Sequence, residues 1–219
     1  FVPGLVQMYV IIGIRKTWHI GNIFVKKVIF VRAVEPIRDR KKINTMKNYL
    51  RGKNIRDYAM FVIGINIALR ISDLLNLTWG NVLSEKENFK VVEIKEGKTG
   101  KKRNIKLNKS ARKALEELLE SLGSYDMDDY IFKSRQGNNS PITRQQALNI
   151  LKEAAKAVGV KENVGTHSLR KTWGYHAWKA GFNPALIMET LNHSNLSITK
   201  RYLGIRQDDI NDLYNSLNI

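Results

Sequence analysis

The sequence contains no cysteine, and its acidic residues are few for its length. The absence of cysteine excludes disulfide bonds, cysteine-ligated zinc and thiol catalysis. There is no run of about 18 apolar residues, which argues against a membrane-spanning helix. The short apolar stretch 10–14 has its basic neighbours on the C-terminal side, the wrong side for a secretory signal. We therefore expect a cytoplasmic protein with no membrane partner.

The composition that remains is globular and strongly basic. The chain has 219 residues, of which 43% are hydrophobic, enough to form the core of one domain, alone or with an appendage. Its 37 Lys and Arg against 20 Asp and Glu give a formal net charge of +17. Such an excess favours a polyanionic partner, because each phosphate that is neutralised releases condensed counterions. Nucleic acid is the favoured partner, and the alternative is a ribosomal-type binder or a generic basic protein.

Residues 1–34 differ from the rest of the chain. Up to Ala33 they carry five basic residues and no acidic one. We interpret 1–34 as a basic tail or linker remnant, with a strand predicted near Ile23–Val31. Residues 35–219 are predicted to be the folded domain.

Helix signals dominate from Pro36 onward. Pro36 suits a first helical turn, and Ile43, Met46 and Leu50 follow at helical spacing. The segment Tyr58–Leu69 is apolar on nearly every face, which predicts a buried central helix. Further helices are predicted after the caps Asn108 and Thr143, from Thr166 to Ala180, and after Asn183-Pro184. Only Phe89–Lys95 and Lys102–Leu107 alternate like strands. The predicted fold is mainly α with one small antiparallel β-sheet (α+β).

The first local pattern that carries chemistry is the segment 68–75. The buried helix is predicted to break at Arg70, and Ser72 is predicted to cap the short helix that follows. Asp73 lies three residues after Arg70. Taken alone, this pair is typical of a surface ion pair.

The second pattern is a basic hairpin tip. Five cations crowd the turn, namely Lys95, Lys98, Lys101, Lys102 and Arg103. Most such tips contact only phosphate or solvent. The functional interpretation places one of these lysines where it reaches into a groove.

The third and fourth patterns lie near the C-terminus. His167 and Arg170 are three residues apart and share one face of a helix. Alone, they suggest a capping histidine and a solvated arginine. No second histidine or carboxylate is suitably spaced for a metal site, and we predict none. His193 is followed nine residues later by Tyr202, which alone would be a core or rim aromatic.

In chain order, the patterns resemble the signature of the tyrosine recombinases of the phage integrase family. The residues that match are Arg70, Lys98, His167-x-x-Arg170, His193 and Tyr202. The resemblance runs from about Glu35 to Tyr202 and implies that 35–219 is a catalytic domain of the DNA breaking–rejoining fold. The family also places a supporting acid where Asp73 lies.

The resemblance implies a role for each matching residue. Tyr202 attacks a DNA phosphodiester and forms a 3′-phosphotyrosine, with rejoining as the reverse step. Arg70 and Arg170 together clamp the phosphate, and His167 is the general base. His193 donates a hydrogen bond to the phosphoryl group, and Lys98 is the general acid. Two guanidinium forks suit the clamp because they are permanently charged and bidentate. No ATP, metal or nucleotide cofactor is required, because the linkage conserves the bond energy.

The implied partner is double-stranded DNA. Besides the catalytic set, we expect DNA contacts from Lys95, Lys101, Lys102, Arg103, Lys171, Lys200 and Arg201. Recombination in the family implies a homotetramer on two duplexes. The segment Arg206–Ile219 carries an apolar stripe that packs either on its own domain or on a neighbouring protomer.

The sequence leaves some alternatives open. Only about 35 residues precede the matching region, too few for the family's core-binding domain, so we expect either a catalytic fragment or a minimal member. A type IB topoisomerase shares the constellation and relaxes supercoils without exchanging partners. A non-catalytic DNA-binding relative is the alternative outside the enzymes.

Overall fold

The computed structural model describes residues 17–20, 23–26, 33–86, 88–203, 205 and 207–217. The chain divides into two units, residues 1–34 and 35–219. In the first unit, strands β1 (Thr17–Ile20) and β2 (Ile23–Lys26) pair antiparallel, with Ile20 opposite Ile23. β2 coincides with the start of the strand predicted near Ile23–Val31, and the remainder of that prediction lies outside the described residues.

The second unit opens with two helices that share a boundary. Helix α1 (Arg40–Lys53) begins after Asp39, whose side chain accepts a hydrogen bond from the Lys41 N–H. The prediction that Pro36 lies in the first helical turn is wrong, because Asp39 supplies the cap and Pro36 precedes it. Helix α2 (Ile55–Ile67) follows at once. Its buried residues cover most of its length, so the predicted central helix is confirmed.

The chain leaves α2 through a left-handed residue, Ala68, with φ of 55°. Arg70 then occupies the N-cap position of helix α3 (Ile71–Leu75), and no side chain caps this helix. The prediction that Ser72 is the cap is therefore wrong, because the turn at Ala68 starts the helix before Ser72. The short helix α4 (Trp79–Val82) comes next.

A β-hairpin projects from this region. Strands β3 (Val92–Lys95) and β4 (Lys102–Ile105) pair antiparallel, with Lys95 opposite Lys102. Both strands are shorter than predicted. For β3, Phe89 forms only an isolated bridge to Leu83. Residues 96–101 make the tip, where Gly100 takes a φ of +67° that favours glycine.

The rest of the unit is helical. The helices are α5 (Lys109–Glu120), α6 (Arg144–Ala157), α7 (Thr166–Lys179), α8 (Pro184–Thr190), α9 (Leu196–Leu203) and α10 (Gln207–Ser216). The predicted caps are confirmed. Asn108, Thr143 and Asn183 accept from the N–H groups of Ala111, Gln146 and Ala185. The fold is mainly α with small antiparallel sheets, as predicted.

Two apolar clusters hold the functional region in place. In the larger one, α7 approaches α2 so closely that a Cβ on Gly64 would lie 2.6 Å from Leu169 Cδ1. The smaller cluster consists of Ala68, Ile187, Leu191 and Leu203 and receives the ring of Tyr202. The backbone turn after α2 is thus packed directly against α8 and α9.

Candidate active site

Five segments of the second unit carry the residues that the sequence singles out. Arg70 is the N-cap of α3, and Lys98 lies at the hairpin tip. Helix α7 carries His167 and Arg170, as predicted. His193 lies between α8 and α9, and Tyr202 lies on α9.

Arg170 is the buried cation of the group, with 1% of its surface exposed. Its Nη1 donates to the carbonyl of Ala68 at 2.7 Å, and its Nη2 donates to the carbonyl of Leu191. Its Nε is buried and has no hydrogen-bond partner among the described residues. Burial and the nearby charge of Arg70 lower the pKa of Arg170 to about 10, so the guanidinium remains charged at neutral pH. A permanently charged guanidinium has five N–H donors, so donors for an anion remain beside the two that these carbonyls hold.

The backbone segments that bond Arg170 contain residues in uncommon conformations. Ala68 is in the left-handed region, which costs a non-glycine residue about 1–2 kcal/mol. This turn makes the Ala68 carbonyl available to Arg170. Asn192, which follows the other acceptor Leu191, also has a positive φ, of 49°. Strained residues of this kind persist where the surrounding structure fixes them, often at functional sites.

Arg70 is held by a carboxylate that the sequence patterns did not single out. Its Nη1 donates to Glu96 Oε2 at 2.5 Å. Glu96 is fully buried at the base of the hairpin tip. Burial by itself would raise the pKa of Glu96, but hydrogen bonds from Asn192, Thr99 and the arginines lower it to about 2. Glu96 is therefore an anion throughout the neutral range.

Asp73 joins α3 to the same hairpin. Its Oδ1 accepts the backbone N–H of Gly97 at 3.1 Å. Its Oδ2 is buried and has no partner among the described residues. Asp73 is thus a structural neighbour of Lys98 and does not form the surface ion pair with Arg70 that the pattern alone would suggest.

His193 is a neutral imidazole in this environment. Burial, followed by the charges of Arg170 and Arg70, lowers its pKa to about 4. Its Nδ1 lies 3.0 Å from Oγ1 of the buried Thr199. When the Thr199 hydroxyl donates to Nδ1, the ring proton is on Nε2 and is available to an oxygen of a ligand.

The hydroxyl of Tyr202 lies beside a second neutral histidine. Tyr202 Oη is 3.4 Å from His167 Nδ1. The pKa of His167 is lowered by burial and by the charges of Arg144, Lys171, Arg170 and Lys98. The Tyr202 ring meets the His193 ring edge-on, with 4.4 Å between their centroids. A histidine without its proton at this distance is in position to accept one from the tyrosine, since such contacts are often long before the substrate binds.

Lys171 contributes a cation to the outer side of Tyr202. Its Nζ lies 5.3 Å from the centroid of the Tyr202 ring. At this distance an ammonium is attracted to the face of an aromatic ring.

The basic residues predicted to contact DNA fall into three groups. Four of them are exposed, as is the proposed acid Lys98: Lys95, Lys101, Lys102 and Lys200. Arg103 points inward and donates to Glu96 Oε1 at 3.1 Å and to the Ala68 carbonyl at 3.5 Å. The helix α9 also carries Arg201, whose side chain lies outside the described part of the structure.

The described residues show neither a metal-binding cluster nor a membrane-spanning helix. In the residues that the structure describes, no three His, Cys, Asp or Glu side chains are grouped so that they could hold a metal ion. None of the helices in that part of the chain combines the length and apolar character needed to span a bilayer.

Sequence reasoning missed three side chains that organise this site, Glu96, Asn192 and Thr199. Glu96 contacts Arg70 and Thr199 contacts His193, while Asn192 contacts Glu96 and Thr99 and precedes His193 in the chain. For Glu96 a signal existed, since it is the one acid in the basic run 95–103. For Thr199 and Asn192 the sequence offers no signal, because only the fold brings their side chains to the site.

The family model described as "Phage integrase family" matches residues 38–208. The probable integrase/recombinase YoeC of Bacillus subtilis (strain 168) is 43% identical over 184 residues, which are 84% of this chain and 97% of the relative. By contrast, the chain spans about half the length of other curated relatives it matches, which are named tyrosine recombinases.

Among solved structures, the crystal structure of XerA recombinase superposes with a TM-score of 0.69 at 17% identity, covering 85% of this chain and 66% of that one. The Tn1549 transposon integrase in complex with a circular intermediate DNA has a TM-score of 0.59 at 18% identity, with coverages of 85% and 66%. These likenesses show a shared fold. With the family match over most of its length, the chain belongs to the phage integrase family, that of the tyrosine recombinases.

Proposed function

We propose that this chain cuts and rejoins double-stranded DNA through a 3′-phosphotyrosine at Tyr202, as a site-specific recombinase or integrase. The observation that carries the proposal is the position of the Tyr202 hydroxyl. It lies 3.4 Å from a histidine with a lowered pKa and near the buried guanidinium of Arg170.

The first step is the attack of the tyrosine on phosphorus. An ordinary tyrosine has a pKa of about 10 and needs a base near neutral pH. His167 takes the phenolic proton on Nδ1 while the Tyr202 oxygen forms its bond to phosphorus. Lys171, at 5.3 Å from the ring centroid, favours the developing phenolate by its charge.

The second requirement is charge stabilisation on the non-bridging oxygens. Arg170 holds two carbonyls through Nη1 and Nη2, so its guanidinium is fixed before the substrate arrives, and its remaining N–H donors bind the phosphate. Arg70 lies on the other side of Glu96 and supplies the second guanidinium. His193 donates from Nε2, with Thr199 on its other nitrogen. Donors that are fixed in advance are typically the largest contribution to such catalysis.

The third requirement is a proton for the departing 5′ oxygen. As the P–O5′ bond breaks, Lys98 gives a proton from Nζ, and the products are the phosphotyrosine and a free 5′ hydroxyl. Rejoining reverses these transfers with the 5′ hydroxyl of another strand. The charge of Lys98 already acts on His167, which supports its place on the reacting side of the site.

The net charge of +17 and the DNA complex of the structurally similar Tn1549 integrase support DNA as the substrate. DNA recombination would take place in the cytoplasm. Exposed lysines on the hairpin and on α9 would contact the phosphates, and each such contact adds salt dependence to binding.

We further propose that the reaction uses four protomers on two duplexes. Helix α10 is held at its start by the ion pair of Lys179 with Asp209, at 2.6 Å. Its apolar stripe remains open, with Leu213 62% and Leu217 64% exposed. This exposure favours docking of α10 on a neighbouring protomer over packing on its own domain.

The proposal is tested with a duplex that carries a nick near the cleavage site, so that the cut strand diffuses away and the covalent complex accumulates. We expect a protein–DNA band that survives denaturation and transfer of the bound strand to a foreign 5′ hydroxyl. DNA binding without a covalent band would instead identify a binding module. Supercoil relaxation without transfer to a foreign strand would identify a topoisomerase-like enzyme.

A further inference from the structure

Glu96 is the one fully buried carboxylate among the residues that the structure describes. Four donors from three segments of the chain surround it: Arg70 at 2.5 Å, Asn192 at 2.6 Å, and Thr99 at 2.7 Å and Arg103 at 3.1 Å, both on the hairpin. The Nη1 of Arg170 lies 3.9 Å away. Every segment of the candidate active site except α9 therefore contacts this carboxylate or adjoins a residue that does.

Part of this arrangement is charge balance. Without Glu96, three guanidinium groups would face one another in a buried space, and like charges there repel strongly. Charge balance alone, however, does not require Thr99 or Asn192, which are neutral. Both donate to the same oxygen, Oε2, that receives Arg70.

The two neutral donors adjoin the residues whose placement the chemistry needs. Thr99 follows Lys98 at the hairpin tip, and Asn192 precedes His193. Asn192 also donates to Thr99 Oγ1 at 3.0 Å, which links the two segments directly. Asn192 reaches this position through its positive φ, so the backbone is fixed as well as the side chain.

We propose that Glu96 is a positioning residue that, through Thr99 and Asn192, sets Lys98 and His193 against the arginine pair. The inference rests on the proposed function, because it takes Lys98 as the general acid. Glu96 touches no reacting atom. It fixes where the proton donor stands relative to the phosphate that Arg70 and Arg170 bind.

The exposed tip makes this anchor necessary. Residues 97–101 are all exposed, and two glycines, Gly97 and Gly100, flank Lys98 and Thr99. Within this tip, the Thr99 hydroxyl ties the loop to the buried carboxylate. A loss of about 1 Å in placement is enough to slow a positioned reaction by about a hundredfold.

The test separates placement of the acid from general disruption by changing the leaving group. Cleavage is measured in single turnover on the nicked duplex, with either oxygen or sulfur at the bridging 5′ position. Sulfur leaves without a proton donor, because a thiol of pKa about 8.5 is far more acidic than an alcohol. The variants are Thr99→Val, which removes only the hydroxyl, and Glu96→Gln, which removes the charge. Lys98→Ala gives the ratio of the two rates when the acid is absent.

We expect Thr99→Val to cleave the oxygen substrate about ten to a hundred times more slowly than the wild type and to recover on the sulfur substrate. Glu96→Gln should show the same rise in the sulfur-to-oxygen ratio, with a residual loss on both substrates because Arg70 also loses its partner. The matched control is Thr190→Val on α8, whose hydroxyl donates to the carbonyl of Leu186 in its own helix. Its ratio should equal that of the wild type.

An unchanged ratio in Thr99→Val, with equal losses on both substrates, would overturn the inference and leave the proposed function intact. Thr99→Val decides the matter even if Glu96→Gln fails to fold, since Thr99 is exposed. A wild-type protein that forms no covalent complex with either substrate would overturn the proposed function itself. A Lys98→Ala ratio equal to that of the wild type would reject Lys98 as the acid, and the role of Glu96 with it.

Discussion

Replacement of Arg170 by lysine tests the phosphate clamp, because the change keeps the charge and removes the fork. Arg170 uses Nη1 and Nη2 on the carbonyls of Ala68 and Leu191, and in the proposed mechanism its remaining N–H donors bind the phosphate. A lysine ammonium has three donors on one atom, and it cannot reach both carbonyls and a phosphate oxygen from that point.

The structure indicates two separate costs of Arg170→Lys. A buried carbonyl that loses its partner costs about 1–3 kcal/mol of folding stability, so Tm should fall. Loss of one fixed donor to the transition state typically lowers the rate by about 10²–10³, and we expect a decrease of this size in covalent complex formation. The sulfur substrate should not restore the rate, because the missing group acts on the non-bridging oxygens.

The assay is single-turnover formation of the covalent complex, at a temperature well below the Tm of the variant. The matched control is Arg51→Lys, whose arginine pairs with Glu117 on the surface and is 45% exposed. Lys171 does not serve as a neutral control because it contacts the Tyr202 ring. If folded Arg170→Lys cleaves within about threefold of the wild type, the fork is not required and the clamp is refuted.

Three further predictions follow from the same geometry. The pKa of His167 is lowered from its ordinary value near 6.5, and a general base must be unprotonated. Cleavage should therefore be constant near pH 7 and fall only as the pH drops below about 6.5. A pH–rate profile whose acid limb is centred above that value would reject His167 as the base. Cleavage should persist in excess EDTA, because the arginines supply the positive charge and His167 the base; loss of cleavage that is reversed by a divalent ion would contradict this mechanism. Deletion of Asp212–Ile219, which removes most of the exposed stripe, should reduce synapsis of two duplexes in a gel-shift assay more than it reduces cleavage of a single site, and unchanged synapsis would argue against docking of α10 on a neighbour.

The sequence predicts much of this fold because its local signals are strong. Asn108, Thr143 and Asn183 are caps whose side chains bond the backbone within three residues, so their effect is independent of the rest of the chain. The start of α1 is not predictable from the sequence, because Pro36 and Asp39 both suit a helix start and only the hydrogen bond of Asp39 decides between them. The cap predicted at Ser72 is wrong because an alanine gives no sequence signal for the left-handed turn at Ala68.

The residues of the candidate site also differ in how far the sequence predicts them. The chain order of the six matching residues points to the family, and the roles proposed for them come from that resemblance. The role of Glu96 cannot be assigned from the sequence, because its hydrogen-bond donors include residues 26 positions before it and 96 positions after it. The inward direction of Arg103 depends on the same carboxylate, and in the sequence Arg103 is simply the last cation of a basic hairpin.

Mass spectrometry of the covalent complex locates the bond between protein and DNA. The complex formed on the nicked duplex is digested with nuclease and protease, and the modified peptide is sequenced. We expect one nucleotide joined through its 3′ phosphate to Tyr202, and no covalent complex from Tyr202→Phe, which should still bind DNA. The same nucleotide on the 79% exposed Tyr214, or a complex that persists in Tyr202→Phe, would refute Tyr202 as the nucleophile.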